Sequence, residues 1–224
     1  MEKLEIIFLE TSLELIPNEL KKDKLIENLS KKLKAKPDFM LLDISLHYKA
    51  MLKLKNFNKR GRPDIIHLSL LNILEKPYSS NIDVYMQVHD GRVFKFRNDI
   101  RLPKNYERFK GLMAQLLYFN KVPLNSEKPL IWKISDSLKE FLNGRKLILL
   151  SEDGEDSNIE EIIESSKTLN FPIGIGAFAH GNFSKNIDYL TYKKYRLFNG
   201  LNLKAWDITC ILSSFLLNNF YKLK

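Results

Sequence analysis

The chain has 224 residues, 44% hydrophobic and 28% charged, with one cysteine, Cys210. This length supports one substantial core and is short for two full domains, and a single cysteine excludes both a disulfide framework and a cysteine-rich zinc site. Lys and Arg exceed Asp and Glu by 36 − 27 = 9, which favours a polyanionic partner, nucleic acid first.

Residues 4–10 read as a first strand, with the apolar run Ile6, Ile7, Phe8 and Leu9 between Glu5 and Glu10. The run lacks the basic start and the length of a signal peptide, and no stretch approaches the ~20 apolar residues of a membrane span, so a cytoplasmic protein with no membrane association is expected. Leu25, Ile26, Leu29 and Leu33 recur at helical spacing within residues 23–36. Residues 47–54 suggest a second helix, and the polar, basic residues 55–62 an exposed loop. A third helix is predicted to open at Pro63 and Asp64, since proline suits the first turn and aspartate the positive helix end.

Residues 83–88 and 92–97 flank Asp90 and Gly91, a hairpin signal. Residues 106–117 place Phe109, Leu112, Met113 and Leu116 on one helical face. Ser137 with Glu140, and Ser157 with Glu160, fit capping boxes. Residues 147–150 form a continuously apolar strand, followed by an acidic turn at 152–156. Residues 172–178 form another buried strand running into a glycine-bearing loop, and residues 203–221 close the chain as a helix. Strands alternating with amphipathic helices give an α/β class: a parallel sheet flanked by helices, in one domain over 1–224 with a hairpin and helix extension around 76–120.

Two constellations can carry chemistry. The loop holding Gly174, Gly176 and Gly181 lets backbone amides approach a ligand, and it reads equally as a tight turn. Its spacing is not the dinucleotide-binding fingerprint. The second constellation is basic: Lys59, Arg60 and Arg62, then Arg101, Lys104, Arg108 and Lys110. Arg101, Lys104 and Arg108 fall at three- and four-residue steps and share a helical side. That side is either a solvated charged face or a clamp for a phosphate backbone, with Tyr106 able to stack on a base. Asp64 reads as a helix cap or as the carboxylate that orients Arg62. The four histidines (47, 67, 89 and 180) show no metal-ligand spacing, and no catalytic residue stands out.

Taken together, several blocks resemble a known family. They are Arg62 to His67 followed by Leu70 and Leu71, Asp83 to Gln87, Arg101 to Met113, and Gly176 to Gly181, in that order. From about Leu41 onward the chain is similar to the ribosomal-RNA pseudouridine N1-methyltransferase family, a ribosome-biogenesis group of the SPOUT (α/β-knot) superfamily. The resemblance implies a homodimer with a C-terminal trefoil knot, S-adenosyl-L-methionine as cofactor, and small-subunit ribosomal RNA as substrate. By position it carries cofactor contacts to Leu150, Gly176, Gly181, Phe198, Asn199, Gly200, Leu201, Asn202 and Leu203. It carries RNA contacts to Arg62, Arg101, Lys104 and Arg108, with Asp64 supporting Arg62. The sequence departs from the family pattern at Lys104, where an arginine is common, and across residues 198–203, which lack the usual Ser and Pro. Two other readings stand beside this one. The first is a non-catalytic RNA-binding assembly factor using the same basic face. The second is a Rossmann-type methyltransferase, whose glycine loop belongs near the start of its domain and not, as here, near the end.

Overall fold

The computed structural model describes residues 3–222. Eight strands form one sheet: β1 (Leu4–Thr11), β2 (Ile82–Val88), β3 (Val93–Phe96), β4 (Lys121–Val122), β5 (Ile131–Ser135), β6 (Leu147–Asp156), β7 (Ile173–Gly176) and β8 (Thr191–Arg196). Their order across the sheet is β4-β5-β3-β2-β1-β7-β6-β8. The stretch from β2 to β8 is parallel, whereas β3, β5 and β4 add on antiparallel. The sheet is therefore mixed where a parallel one was expected. The physical reason is the hairpin at Asp90 and Gly91: so short a connection between β2 and β3 forces antiparallel pairing, and β5 extends that edge.

The continuous apolar runs of β1 and β6 are explained by burial on both faces. Ile6, Phe8, Ile148 and Leu150 join the larger core on one side of the sheet. Ile7, Leu9, Leu147 and Leu149 join a smaller core on the other. The large core lies under α3 (Pro63–Ile73), α4 (Tyr106–Phe119), α6 (Ile159–Leu169) and α8 (Ala205–Lys222). The smaller core is covered by α5 (Leu138–Leu142) and α7 (Lys185–Leu190). The segment between β1 and α3 packs a third cluster around Ile26, Met40 and Met51, using α1 (Lys24–Leu33) and α2 (Ile44–Met51).

Local chemistry explains the helix ends. Asp23, Asp43, Asn105, Ser137 and Asn158 each cap a helix start by accepting a backbone N–H. Helices α4, α5 and α6 stop at Asn120, Asn143 and Asn170, all in the left-handed conformation that asparagine tolerates better than most residues. α1 ends at Leu33, short of the expected residue 36, and α2 begins before His47 because Asp43 caps it. The second capping site is Asn158, one residue beyond the expected Ser157, whose hydroxyl bonds to Glu161 instead. Residues 55–62 are only in part the exposed loop that was expected: Lys55, Asn56 and Asn58 are exposed, but Gly61 is buried, and Lys59 and Arg60 turn inward to Glu10 and Glu14. The acidic stretch 152–156 continues β6 and does not form a free turn.

The edge between β6 and β8 has an unusual register. Leu150 and Glu155 both pair with Tyr195, so residues 151–154 leave the ladder as a bulge. The bulge returns through Gly154, where a Cβ would sit 2.6 Å from backbone atoms of Tyr195. Only glycine permits that approach. The last helix, α8, then packs along α3, with Asn72 Nδ2 donating to the Trp206 carbonyl at 2.8 Å and the Tyr78 hydroxyl bonded to Ser213 at 2.8 Å. Burial pushes the Tyr78 phenol up to about 12, which keeps it neutral beneath the helix.

Gly154→Ala is expected to force β6 away from β8. Overpacking of this kind costs about 1–3 kcal/mol, so thermal unfolding should shift down by roughly 2–4 °C for each kcal/mol lost. An unchanged midpoint would show that the bulge has room to adjust.

Candidate functional site

A cavity of about 870 Å³ opens at the carboxyl ends of β6, β7 and β8. Ligands bind at such ends in open α/β sheets, and the volume falls within the range of about 300–1,000 Å³ typical of small-molecule sites. Four chain segments build its wall. The β6 bulge contributes Ser151, Glu152 and Asp153, and the end of β7 and the loop after it contribute Gly176 and residues 178–183. The end of β8 contributes Lys194, Tyr195 and Arg196. The segment Leu201 to Lys204 leads into Trp206 of α8. Arg62 and Ile65, at the start of α3, complete the rim.

Of the residues expected to meet a cofactor, Leu150, Gly176, Gly181, Leu201, Asn202 and Leu203 line this cavity. Phe198 and Asn199 do not: they are exposed in the 3-10 turn just before it. The expected contact at Gly200 lies outside the residues whose surroundings the structure describes. Gly176 and Gly181 are glycines for different reasons. A Cβ on Gly176 would lie 2.8 Å from the Phe183 ring and 3.0 Å from that of Phe178, whereas Gly181 has open space around it and a φ of +97° that side chains disfavour.

Sequence reasoning missed the charged wall. Asp153 accepts from Lys194 at 2.8 Å and from the Ser151 hydroxyl, and Lys194 also meets Asp188 at 2.9 Å. The Lys194 and Ser151 bonds hold the Asp153 carboxyl below the usual carboxylate range, so it is ionised near neutral pH. Glu152 lines the cavity too. The signal was present in the acidic stretch after Leu150, but a bulge cannot be told from a turn by composition.

The expected RNA residues fall into two groups. Arg62 lines the cavity and is held in a two-point pair by Asp64, at 2.8 and 2.7 Å. That hydrogen bonding raises the Arg62 pKa further, so its charge is permanent. Arg101, Lys104 and Arg108 are exposed. Their segment is docked on α3 by the Pro103 carbonyl against His67 Nε2 at 2.8 Å, and by the Leu102 N–H to Glu75 at 2.8 Å. Lys59, Arg60 and Lys110 are not part of this face, being turned inward to carboxylates.

Tyr106 also faces inward and is not free to stack on a base. Its ring lies beside His67, and its hydroxyl donates to Asp43 at 3.2 Å. Burial and the Asp43 charge push its phenol strongly up, so it stays protonated. Asp43 is a buried hub. It accepts from the Ser45 N–H and hydroxyl, from Tyr106, and from Lys110 at 3.0 Å. His47 Nδ1 accepts the Asp43 N–H at 2.9 Å, and burial lowers the His47 pKa, so the ring is neutral. Among the described residues no His, Cys, Asp and Glu group is placed to hold a metal ion.

Burial pushes the Asp43 pKa up, but hydrogen bonds from Ser45 and Lys110 outweigh it, and the net shift is down. A depressed folded pKa stabilises the fold above the unfolded value of about 3.9, and that stabilisation fades as pH falls through the folded value. Asp43→Asn should therefore cost about 1.5–3 kcal/mol at pH 7, the range for hydrogen bonds to charged groups. In urea titrations the gap to wild type should narrow as pH falls below about 4. A pH-independent gap would mean that the Asp43 charge contributes nothing.

Comparison with known proteins agrees with this geometry. A family model described as EMG1/NEP1 methyltransferase matches residues 6–216. The chain is 42% identical over 204 residues to the ribosomal RNA small subunit methyltransferase Nep1 of Staphylothermus marinus, covering 88% of each chain. It is 42% identical over 211 residues to the protein of that name from Saccharolobus solfataricus, covering 94% of this chain and 95% of the relative. The crystal structure of Archaeoglobus fulgidus Nep1 bound to S-adenosylhomocysteine superposes with a TM-score of 0.80 at 28% identity, over 99% of this chain and 98% of that one. The fold is thus the SPOUT α/β arrangement expected from the resemblance, and the chain belongs to the EMG1/NEP1 methyltransferase family.

Proposed function

We propose that this chain methylates small-subunit ribosomal RNA with S-adenosyl-L-methionine, at N1 of a pseudouridine, during assembly of the small subunit. The observation that carries the reading is the cavity where the Gly176–Gly181 loop meets residues 201–204, with Arg62 on its rim. S-adenosylmethionine carries two positive centres and an adenosine. Glu152 supplies negative charge in the wall, beside Asp153 and Asp188 that pair with Lys194, and Leu150, Leu203 and Trp206 supply apolar surface. The residues therefore fit the group. The catalytic alternative is favoured over a purely RNA-binding role because the cavity is built as a small-molecule site and does not merely back a charged face.

The bound cofactor supplies an activated methyl on a sulfonium. The chain's residues contribute position and electrostatics. Loop and bulge hold the cofactor, and α8 closes one side against water. Arg62, fixed in direction by Asp64, places a permanent cation where the target nitrogen loses its proton and gains negative charge. Arg101, Lys104 and Arg108 bind the RNA backbone, with Lys104 acting as a point charge. The target base leaves its stack to reach the cavity.

The chain acts as one domain over 1–224, a reading supported by two apolar clusters that cover the two faces of one sheet. Its C-terminal segment is knotted, supported by the way residues 201–204 run beside the loop after β7 before α8 packs on α3. It works as a homodimer in which both subunits serve each RNA. Sedimentation at micromolar concentration tests this: a 26.3 kDa monomer that still methylates RNA contradicts it. Among the described residues no helix is long and apolar enough to cross a membrane.

Gly176→Val should abolish S-adenosylhomocysteine binding in calorimetry while circular dichroism stays native; full binding by the folded variant removes this loop from the site. Arg108→Ala should weaken RNA binding, leave S-adenosylhomocysteine affinity alone, and flatten the salt dependence by about 0.7–0.9 log units per log unit of salt. Asp64→Ala should resemble a milder Arg62→Ala, and the double variant should lose no more RNA affinity than Arg62→Ala alone. Additive losses would give Asp64 a separate role.

A further inference from the structure

Lys59 was one of three cations counted together in the basic set before α3, yet it is not available to RNA. Its Nζ donates to the Glu10 carboxylate and to the Asn182 carbonyl at 2.7 Å, and lies 4.0 Å from the centroid of the Phe178 ring. Phe178 and Asn182 both belong to the loop that walls the cavity. The Lys59 backbone is fixed in turn by the Ser12 hydroxyl, which donates to its carbonyl at 2.6 Å.

Glu10 completes the arrangement. It lies one residue before the end of β1 in the left-handed conformation, φ +47°, which is uncommon for residues other than glycine. Its N–H donates to Gln87 at 3.1 Å. Its carboxylate accepts from Lys59 with one oxygen and from the Ser184 N–H, at 3.1 Å, with the other. The loop is therefore tied at its start by the Ala177 backbone to Leu9 and Ser12, in its middle by Lys59, and at its end by Glu10. Ala179, His180 and Gly181 arch between these ties and line the cavity. Carbonyl and N–H of a trans peptide point in opposite directions. Binding the Asn182 carbonyl thus also fixes the direction of the Phe183 N–H.

We propose that Lys59 is a positioning residue for the cofactor: it clamps the 177–184 loop in its binding shape, and Glu10 orients it. Lys59 touches neither cofactor nor RNA. It also stands three residues before Arg62, so the segment that holds the loop is the one that presents the RNA-facing arginine. The proposal rests on the reading of this cavity as the cofactor site.

Four proteins test it by calorimetry with S-adenosylhomocysteine: wild type, Lys59→Met, Lys59→Arg and Glu10→Gln. Lys59→Met keeps the stem over Phe178 and removes the charge and donors. It should bind at least tenfold more weakly, and Lys59→Arg should recover to within about threefold of wild type. Glu10→Gln should fall between, since its amide still accepts from Ser184 while Lys59 loses its anion; this comparison decides the matter if Lys59→Met does not fold. Amide exchange should speed up across residues 178–183 and stay unchanged in β1 and β7. RNA affinity without cofactor should change less than twofold. Lys59→Met binding within twofold of wild type overturns the proposal, as does a loss of affinity with exchange accelerated equally through β1 and β7. A wild-type protein that fails to bind S-adenosylhomocysteine instead removes the reading of the cavity, and the proposal falls with it.

Discussion

Tyr195 is paired twice by strand β6, first through Leu150 and again through Glu155. The residues between these pairings are pushed out of the sheet, and they carry Ser151, Glu152 and Asp153 into the cavity wall. The excursion closes because Gly154 has no Cβ to strike the Tyr195 backbone. Without that contact β6 would run as a regular strand, and its polar end would have no place in the cavity wall. Lys194 braces the bulge from the neighbouring strand through Asp153, and Asp188 braces Lys194. The site's polar wall is thus made of backbone register first and side-chain charge second.

The remaining walls depend on how the chain returns to the same end of the sheet. β7 lies between β1 and β6, so its exit loop emerges beside the bulge. β8 emerges on the other side of β6, and the residues after it lead into α8. Packing of α8 along α3 brings Arg62 to the rim. One arginine therefore stands where a small-molecule site and an exposed basic segment meet. Asp64 fixes its geometry without cancelling its use, because a two-point pair leaves part of the guanidinium open to a further acceptor.

Much of this was legible in the residues. Apolar runs at 6–9 and 147–150 read as strands, the second as one buried on both faces, and both are such; Pro63 opens α3; Asp90 and Gly91 turn the hairpin. Motif order was the stronger guide to the site, since Gly176, Gly181 and residues 201–203 all reach the cavity. What stayed hidden was set by tertiary partners. Nothing local distinguishes Lys59 and Arg60, neutralised by Glu10 and Glu14 from 49 and 46 residues away, from the exposed Arg101 and Lys104. Tyr106 likewise looks like a stacking platform until Asp43, 63 residues distant, claims its hydroxyl. Residues 152–156 read as a turn, and the bulge at 151–154 stays hidden, because register depends on the partner strand, and β8 lies some forty residues on.

In the proposed reaction this cavity delivers a methyl group to one nitrogen of a pseudouridine, a ring N–H that uridine lacks. The most direct measurement uses two synthetic small-subunit RNA fragments, identical except for pseudouridine or uridine at one position, incubated with the protein and S-adenosylmethionine labelled in its methyl group. Label should enter the pseudouridine fragment alone, and mass spectrometry should place it on that nucleoside. Equal labelling of both fragments, or none in either with cofactor demonstrably bound, would contradict the account.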